Sequence, residues 1–312
     1  STFLRVKEAY YMEEPALLAI AIGYLGEDFH GSQYQPKIET VQGTLEQIAY
    51  ELTWGEKPRE RVHSLKLASR TDAGVNVRKN IAVLELPRHI WNGVGQRKMV
   101  QAFNDRLPAT LWVWGVCEVP VGFEPRFPLN RTYRYRLEGL ANWPGSSIEQ
   151  MEKWLTIFVG ENDFSNFCNP RAISDRKRTI YSANPWINNG QVIGFEITGY
   201  SFIWNQVRRI AHAILCLARG DVAISEVEDA LYKPEIPCDL GMAEPDWLVL
   251  WGMEHEELSY QEPEADLSHF SNSPEWLTFR QRQHWCRVAK AEVRSWMLQD
   301  GLSLRLANYK KE

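Results

Sequence analysis

The chain has 312 residues, in which 35 Lys and Arg stand against 40 Asp and Glu, a formal net charge of −5. With 44% hydrophobic and 24% charged residues it lies in the globular range, far from disorder, and its length allows roughly two domains of about 150 residues each. The acidic balance argues against indiscriminate nucleic-acid binding while leaving room for a local basic groove, and five cysteines without C-x-x-C spacing support neither a disulfide framework nor a zinc knuckle.

The first fourteen residues mix Arg5, Lys7 and acids, so a secretory signal of the usual form is not expected there. No run approaches the length of a membrane span, and a cytoplasmic protein with reduced thiols is the expectation. The apolar run from Ala16 to Tyr24 ends at Gly26 and predicts a buried strand. Val41, Leu45, Ile48, Ala49 and Leu52 recur on one face of a helical period. Residues 64–69 and 80–87 read as strands on either side of the polar stretch 70–79. A second helical pattern carries Val94, Met99, Val100, Phe103 and Leu107, and residues 111–119 close the set as a strand. The predicted order is βαββαβ.

Residues 131–139 alternate strictly, with Tyr133, Tyr135 and Leu137 on one face and Arg134 and Arg136 on the other. A helix is predicted from Ser147, with Gln150 placed for a capping box, to a stop at Gly160. Strands at 179–187 and 191–198 flank Asn188-Asn189-Gly190, whose Asn-Gly pair signals a hairpin. Val207, Ile210, Ala211, Ile214 and Ala218 form a helical stripe ending at Gly220, and residues 247–251 are a last apolar strand. The order repeats without a sequence repeat. An α+β fold follows, with two ferredoxin-like halves (1–119 and 120–253) and mainly antiparallel sheets flanked by helices.

After Gly252 come Glu254, Glu256, Glu257, Glu262, Glu264 and Asp266, with no Lys or Arg before Arg280. Residues 254–312 therefore read as an acidic connector and a C-terminal helix, begun by Ser273 as N-cap and Pro274 at the first helical position and running to about Gln299. Arg280, Arg287 and Arg294 repeat every seven residues along it, a stripe that is either solvated or a contact for RNA or another subunit.

The segment Ser69-Arg70-Thr71-Asp72-Ala73-Gly74-Val75 is the most informative. Read plainly, Asp-Ala-Gly is a turn. No second carboxylate accompanies Asp72, which leaves neither paired acid/base catalysis nor a metal site to argue. What remains is a lone carboxylate used as nucleophile beside Arg70, which can bind phosphate or support an ion pair.

Arg70-Thr71-Asp72-Ala73-Gly74-Val75 resembles the signature block of the TruA-type tRNA pseudouridine synthases, and further blocks follow in that family's order over residues 16–253. Gly26 with Phe29, Gly31 and Gln33, then Val41-Gln42-Gly43, look like its opening blocks. Phe123-Glu124-Pro125-Arg126-Phe127 with Arg131-Thr132-Tyr133-Arg134-Tyr135 is similar to its central block. Gly160-Glu161-Asn162-Asp163-Phe164, the stretch from Phe202 to Val207-Arg208, and Leu248 complete the series. The chain departs from the family at Leu25, Ser32, Asn76, Gln206 and Trp247, none of them a proposed catalytic position.

The resemblance implies an isomerase that turns uridine into pseudouridine in the anticodon stem-loop of tRNA, at position 38, 39 or 40, working as a homodimer without metal or other cofactor. Asp72 would attack ribose C1′ or uracil C6, and Arg208 would hold the carboxylate ionised. Tyr133 would stack on the uracil and help remove the C5 proton, with Leu248 as the apolar floor. Flipping the base needs a group to enter the space left behind, for which Arg70 is the candidate. Candidate phosphate partners are Arg78, Lys79, Arg126, Arg134 and Arg136, and the cluster Arg171, Arg176, Lys177 and Arg178. A non-catalytic RNA-binding module is the second reading, disfavoured because the chain lacks the aromatic-rich pattern of that module.

Overall fold

Strand β1 (Ala16–Tyr24) is buried along nearly its whole length, because both of its faces are covered and every position except Leu17 is apolar core. The structure is a computed structural model that describes residues 14–52, 65–172, 174–260 and 279–309. After β1 come α1 (Val41–Leu52), β2 (Lys66–Leu67), β3 (Asn76–Leu86), α2 (Arg88–Asn104) and β4 (Leu111–Glu118). They are followed by β5 (Asn130–Arg136), α3 (Ile148–Thr156), β6 (Gly160–Asp163), β7 (Lys177–Asn188), β8 (Gln191–Gly199), α4 (Gln206–Arg219), α5 (Ile224–Tyr232) and β9 (Leu248–Glu254).

These strands make one sheet in the order β4-β1-β3-β9-β5-β8-β7-β6, with β2 paired to β3. All pairings are antiparallel except β3 with β9, a short parallel seam of Asn76↔Val249 and Val77↔Leu250. The fold is therefore mixed α+β around one largely antiparallel sheet. The seam matters because it joins the part of the sheet carrying the Asp72 loop to the part carrying Tyr133.

Local signals in the sequence account for several boundaries. Asn189 (φ 48°) and Gly190 (φ 76°) take the left-handed conformations that a two-residue hairpin requires between β7 and β8. Ser147 Oγ accepts the Gln150 N–H at 3.1 Å and starts α3. Gly220 (φ 74°) closes α4.

Other boundaries differ from expectation. The strand expected over 64–69 shrinks to Lys66–Leu67, and β3 begins four residues earlier than expected, at Asn76. Helix α2 is broken at Gly95 (φ 71°). Strand β6 and helix α5 were not expected, since Gly-Glu-Asn-Asp carries no apolar alternation and α5 buries only Val227, Ala230 and Leu231. The Ser273-Pro274 helix start lies outside the described residues. Helix α6 (Phe279–Tyr309) belongs to a second compact unit, residues 263–312, and exposes Arg287 and Arg294. No described helix is long and apolar enough to cross a membrane.

One buried group gives the fold a pH signature. His255 Nε2 donates to Pro125 O at 2.8 Å and its ring packs 5.5 Å from Phe123, while Nδ1 is buried without a partner. Burial holds its pKa below the usual value; Arg131 and Lys79 act in the same sense, while the Pro125 bond and Glu257 oppose it. The neutral ring is thus the folded form. Its contribution is complete above the unfolded value of about 6.5 and is lost as pH falls through that value toward the folded one. The thermal midpoint should therefore drop below about pH 6.5, and His255→Phe should flatten that part of the slope.

Candidate active site

The Asp72 loop is pinned at both ends before Asp72 is reached. Asn80, fully buried, accepts the Ser69 N–H at 3.2 Å and donates to Ser69 O at 2.8 Å. Tyr24 Oη meets Thr71 Oγ1 at 2.6 Å, and the Ser32 hydroxyl accepts the Thr71 N–H at 2.9 Å. Beyond Asp72, Gly74 (φ 85°) sits against Pro245 so that a Cβ added there would lie 3.2 Å from the proline ring and would need a different backbone. Asn76 accepts the Gly26 N–H at 2.9 Å and donates to Asp246 O at 3.2 Å. Ser32 and Asn76, two of the departures from the family pattern, thus both hold this loop. Trp247, another, lies flat against Gly139.

Asp72 itself is held by three donors from one turn. Arg208 Nη1 lies 3.3 Å from Oδ2, Asn205 Nδ2 3.0 Å from Oδ2, and Trp204 Nε1 3.1 Å from Oδ1. The Asp72 side chain stays 39% accessible whereas Arg208 is only 11% accessible, so the carboxylate faces outward from a sunken cation. Arg208 is braced by its Nε bond to Ala243 O at 2.8 Å.

Tyr133 lies on β5 opposite Leu250 of β9, with its ring edge-on to Phe202 at 5.1 Å. Leu248 pairs with Tyr135 and so falls diagonal to Tyr133 on the same face. Burial pushes the Tyr133 phenol above its usual range; the neighbouring Arg131 cation and the Ser69 hydroxyl pull it back, and the Asp72 charge adds to the rise. Asp72 thus pairs with Arg208 and its charge acts on Tyr133, while Leu248 lies opposite Tyr135, the next residue on the Tyr133 face of β5.

Arg131 is the residue that the sequence did not single out. It is 7% exposed and forms no ion pair with a carboxylate among the described residues. Its Nε donates to Ser69 Oγ at 2.8 Å, Nη1 to Tyr200 O at 2.8 Å, and Nη2 to Ala68 O at 3.0 Å and Arg126 O at 2.9 Å. One guanidinium thus ties the stem of the Asp72 loop to the β4–β5 connector and to the segment that leads into Trp204.

The remaining basic residues separate into groups. Arg70 and Arg126 are exposed near the Asp72 loop. Arg134 follows Tyr133 and so faces the other side of the sheet, where it stacks 3.7 Å from the Trp251 ring centroid and 5.3 Å from that of Trp186. Arg78 lies 5.2 Å from both the Trp114 and the Trp251 rings. Trp114, Arg78, Trp251, Arg134 and Trp186 make a ladder across the β3–β9 seam, and Glu196 binds Arg134 at 2.7 Å. Lys79 lies near Gly252, and Arg136 pairs with Glu138. Arg176, Lys177 and Arg178 sit where β7 begins beside β6; Arg176 donates to Pro170 O at 3.0 Å and Arg178 to Asp175 O at 3.2 Å.

Residues 155–256 match the family model described as tRNA pseudouridine synthase. The chain is 32% identical to the tRNA pseudouridine synthase A of Pyrococcus furiosus over 255 residues, covering 81% of this chain and 89% of that protein. It is 32% identical to the Methanoculleus marisnigri enzyme of the same name over 91% of this chain and 96% of that one, and 34% identical to the one from Thermococcus gammatolerans over 80% and 89%. The chain belongs to the tRNA pseudouridine synthase A family, whose members are isomerases.

Proposed function

We propose that this isomerase converts uridine to pseudouridine in the anticodon stem-loop of tRNA, at position 38, 39 or 40, with Asp72 as nucleophile. The observation that carries the reading is the Asp72 carboxylate, held at both oxygens yet open to solvent. The Arg208, Asn205 and Trp204 donors fix where the two carboxylate oxygens point, and a carboxylate so oriented can act as a nucleophile. The glycosidic bond breaks, the uracil turns, C5 bonds to C1′, and the C5 proton leaves. N1, freed from C1′, takes up a proton in place of the one lost from C5, and the bond to Asp72 is broken again, so the product is an isomer of the substrate.

On this reading the Tyr133 ring stacks on the uracil and its hydroxyl helps to remove the C5 proton. Leu248 closes the floor. The target base must leave its stack to reach Asp72, at a cost of a few kcal/mol, and exposed Arg70 is the side chain placed to fill the gap. Arg126 and the Arg176, Lys177 and Arg178 group are the phosphate contacts on this reading, whereas Arg78 and Arg134 are engaged in the ladder.

The two halves are read as ferredoxin-like, supported by equivalent strand orders, β4-β1-β3-β2 and β9-β5-β8-β7. Cytoplasmic tRNA as partner and a homodimer as working form complete the proposal. Chemical mapping of a bulk tRNA pool after treatment with the protein tests it. New pseudouridine at positions 38–40 is the expected result, and modification confined to other sites would overturn the assignment of position.

A further inference from the structure

We propose that Trp204 is a positioning residue that selects which Asp72 oxygen attacks. The inference rests on Asp72 acting as nucleophile. A carboxylate accepts along about four lone-pair directions. Asn205 Nδ2 and Arg208 Nη1 occupy both on Oδ2, and Trp204 Nε1 occupies one on Oδ1. Among the described residues no further donor reaches Asp72, so one direction on Oδ1 is left over for the substrate.

This arrangement is built by an unusual turn. Successive side chains normally diverge, yet Trp204 and Asn205 reach opposite oxygens of one carboxylate. They converge because Asn205 adopts φ 66°, a left-handed conformation that asparagine tolerates better than most residues. Asn169 fixes the turn from behind: its N–H donates to Trp204 O at 2.9 Å, and its side-chain amide donates to Asn205 Oδ1 at 3.2 Å. The indole is half exposed, so its N–H is spent on the carboxylate at a place where water competes. Losing that bond leaves the carboxylate held at Oδ2 alone, so that Oδ1 can swing out of line with the carbon under attack.

The test replaces Trp204 with β-(3-benzothienyl)alanine, which keeps the ring shape and substitutes sulfur for N–H. A hydrogen bond to a charged group is worth enough that the single-turnover rate should fall roughly tenfold to a hundredfold. The Kd for tRNA and the thermal midpoint should stay at the wild-type values, a split that a purely structural role does not produce. Trp204→Phe should lose the same rate. An isosteric variant as fast as an active wild type overturns the Trp204 assignment alone, as does a loss that appears in Kd instead. A wild type that forms no pseudouridine overturns the proposed function and this inference with it.

Discussion

Asp72→Asn is expected to lower the rate of tritium release from C5-labelled tRNA by about 10⁴-fold or more, because the amide keeps the shape and loses the nucleophile. The Kd for tRNA should change by less than about twofold, since no phosphate contact is removed. The local structure should also persist. Asp72 is partly open to water, so an amide nitrogen facing the Arg208 and Asn205 donors can be solvated without collapse of the turn. Single-turnover assays with enzyme in excess separate this loss from slow product release. A parallel loss of binding would mean that Asp72 anchors RNA instead of reacting with it.

The largest effect on stability is expected at Arg131. Arg131→Met removes the donors to the carbonyls of Ala68, Arg126 and Tyr200 and to the Ser69 hydroxyl, leaving acceptors in a closed space. Each unpaired buried acceptor costs about 1–3 kcal/mol, partly relieved by water, so a total near 4 kcal/mol is expected. Urea unfolding measures it directly. Arg131→Lys should recover little, because a single ammonium cannot span acceptors that the guanidinium fork reaches in several directions. Since the fork also ties the Asp72 stem to the segment leading into Trp204, the activity that survives should fall below the folded fraction.

What could be read in the sequence follows from how local each feature is. The Asn189-Gly190 hairpin, the Ser147 cap and the helix stop at Gly220 need only a few neighbouring residues, and they stand where the sequence placed them. Asp72 and Arg208 were found through a family resemblance spread over most of the chain, and the two side chains meet. Arg131 was overlooked because an arginine on an alternating strand reads as a solvated charge. Its burial arises from carbonyls of segments 63 and 69 residues away. Trp204 and Asn205 were overlooked for a related reason, since only the left-handed turn brings consecutive side chains together. The one available signal was an aromatic next to an asparagine just before the apolar stripe of α4. Arg78 and Arg134 were grouped with phosphate contacts by charge alone, whereas the tryptophans that sandwich them come from β4, β7 and β9.

The −5 net charge fits a nucleic-acid enzyme once position is considered. Arginines recur in the sequence blocks around Asp72, Tyr133 and Arg208, while acids crowd the stretch after Gly252. On the proposed mechanism Asp72 forms a bond to the nucleotide. The loss of a C5 proton ends the reaction, and fluorine at C5 cannot leave as a proton. The most direct measurement is therefore peptide mass spectrometry of the protein stalled on tRNA carrying 5-fluorouridine at the target. The predicted result is a nucleotide mass on the peptide containing Asp72 and no adduct in Asp72→Asn. A stalled complex in which Asp72 is unmodified and another side chain carries the nucleotide would contradict it.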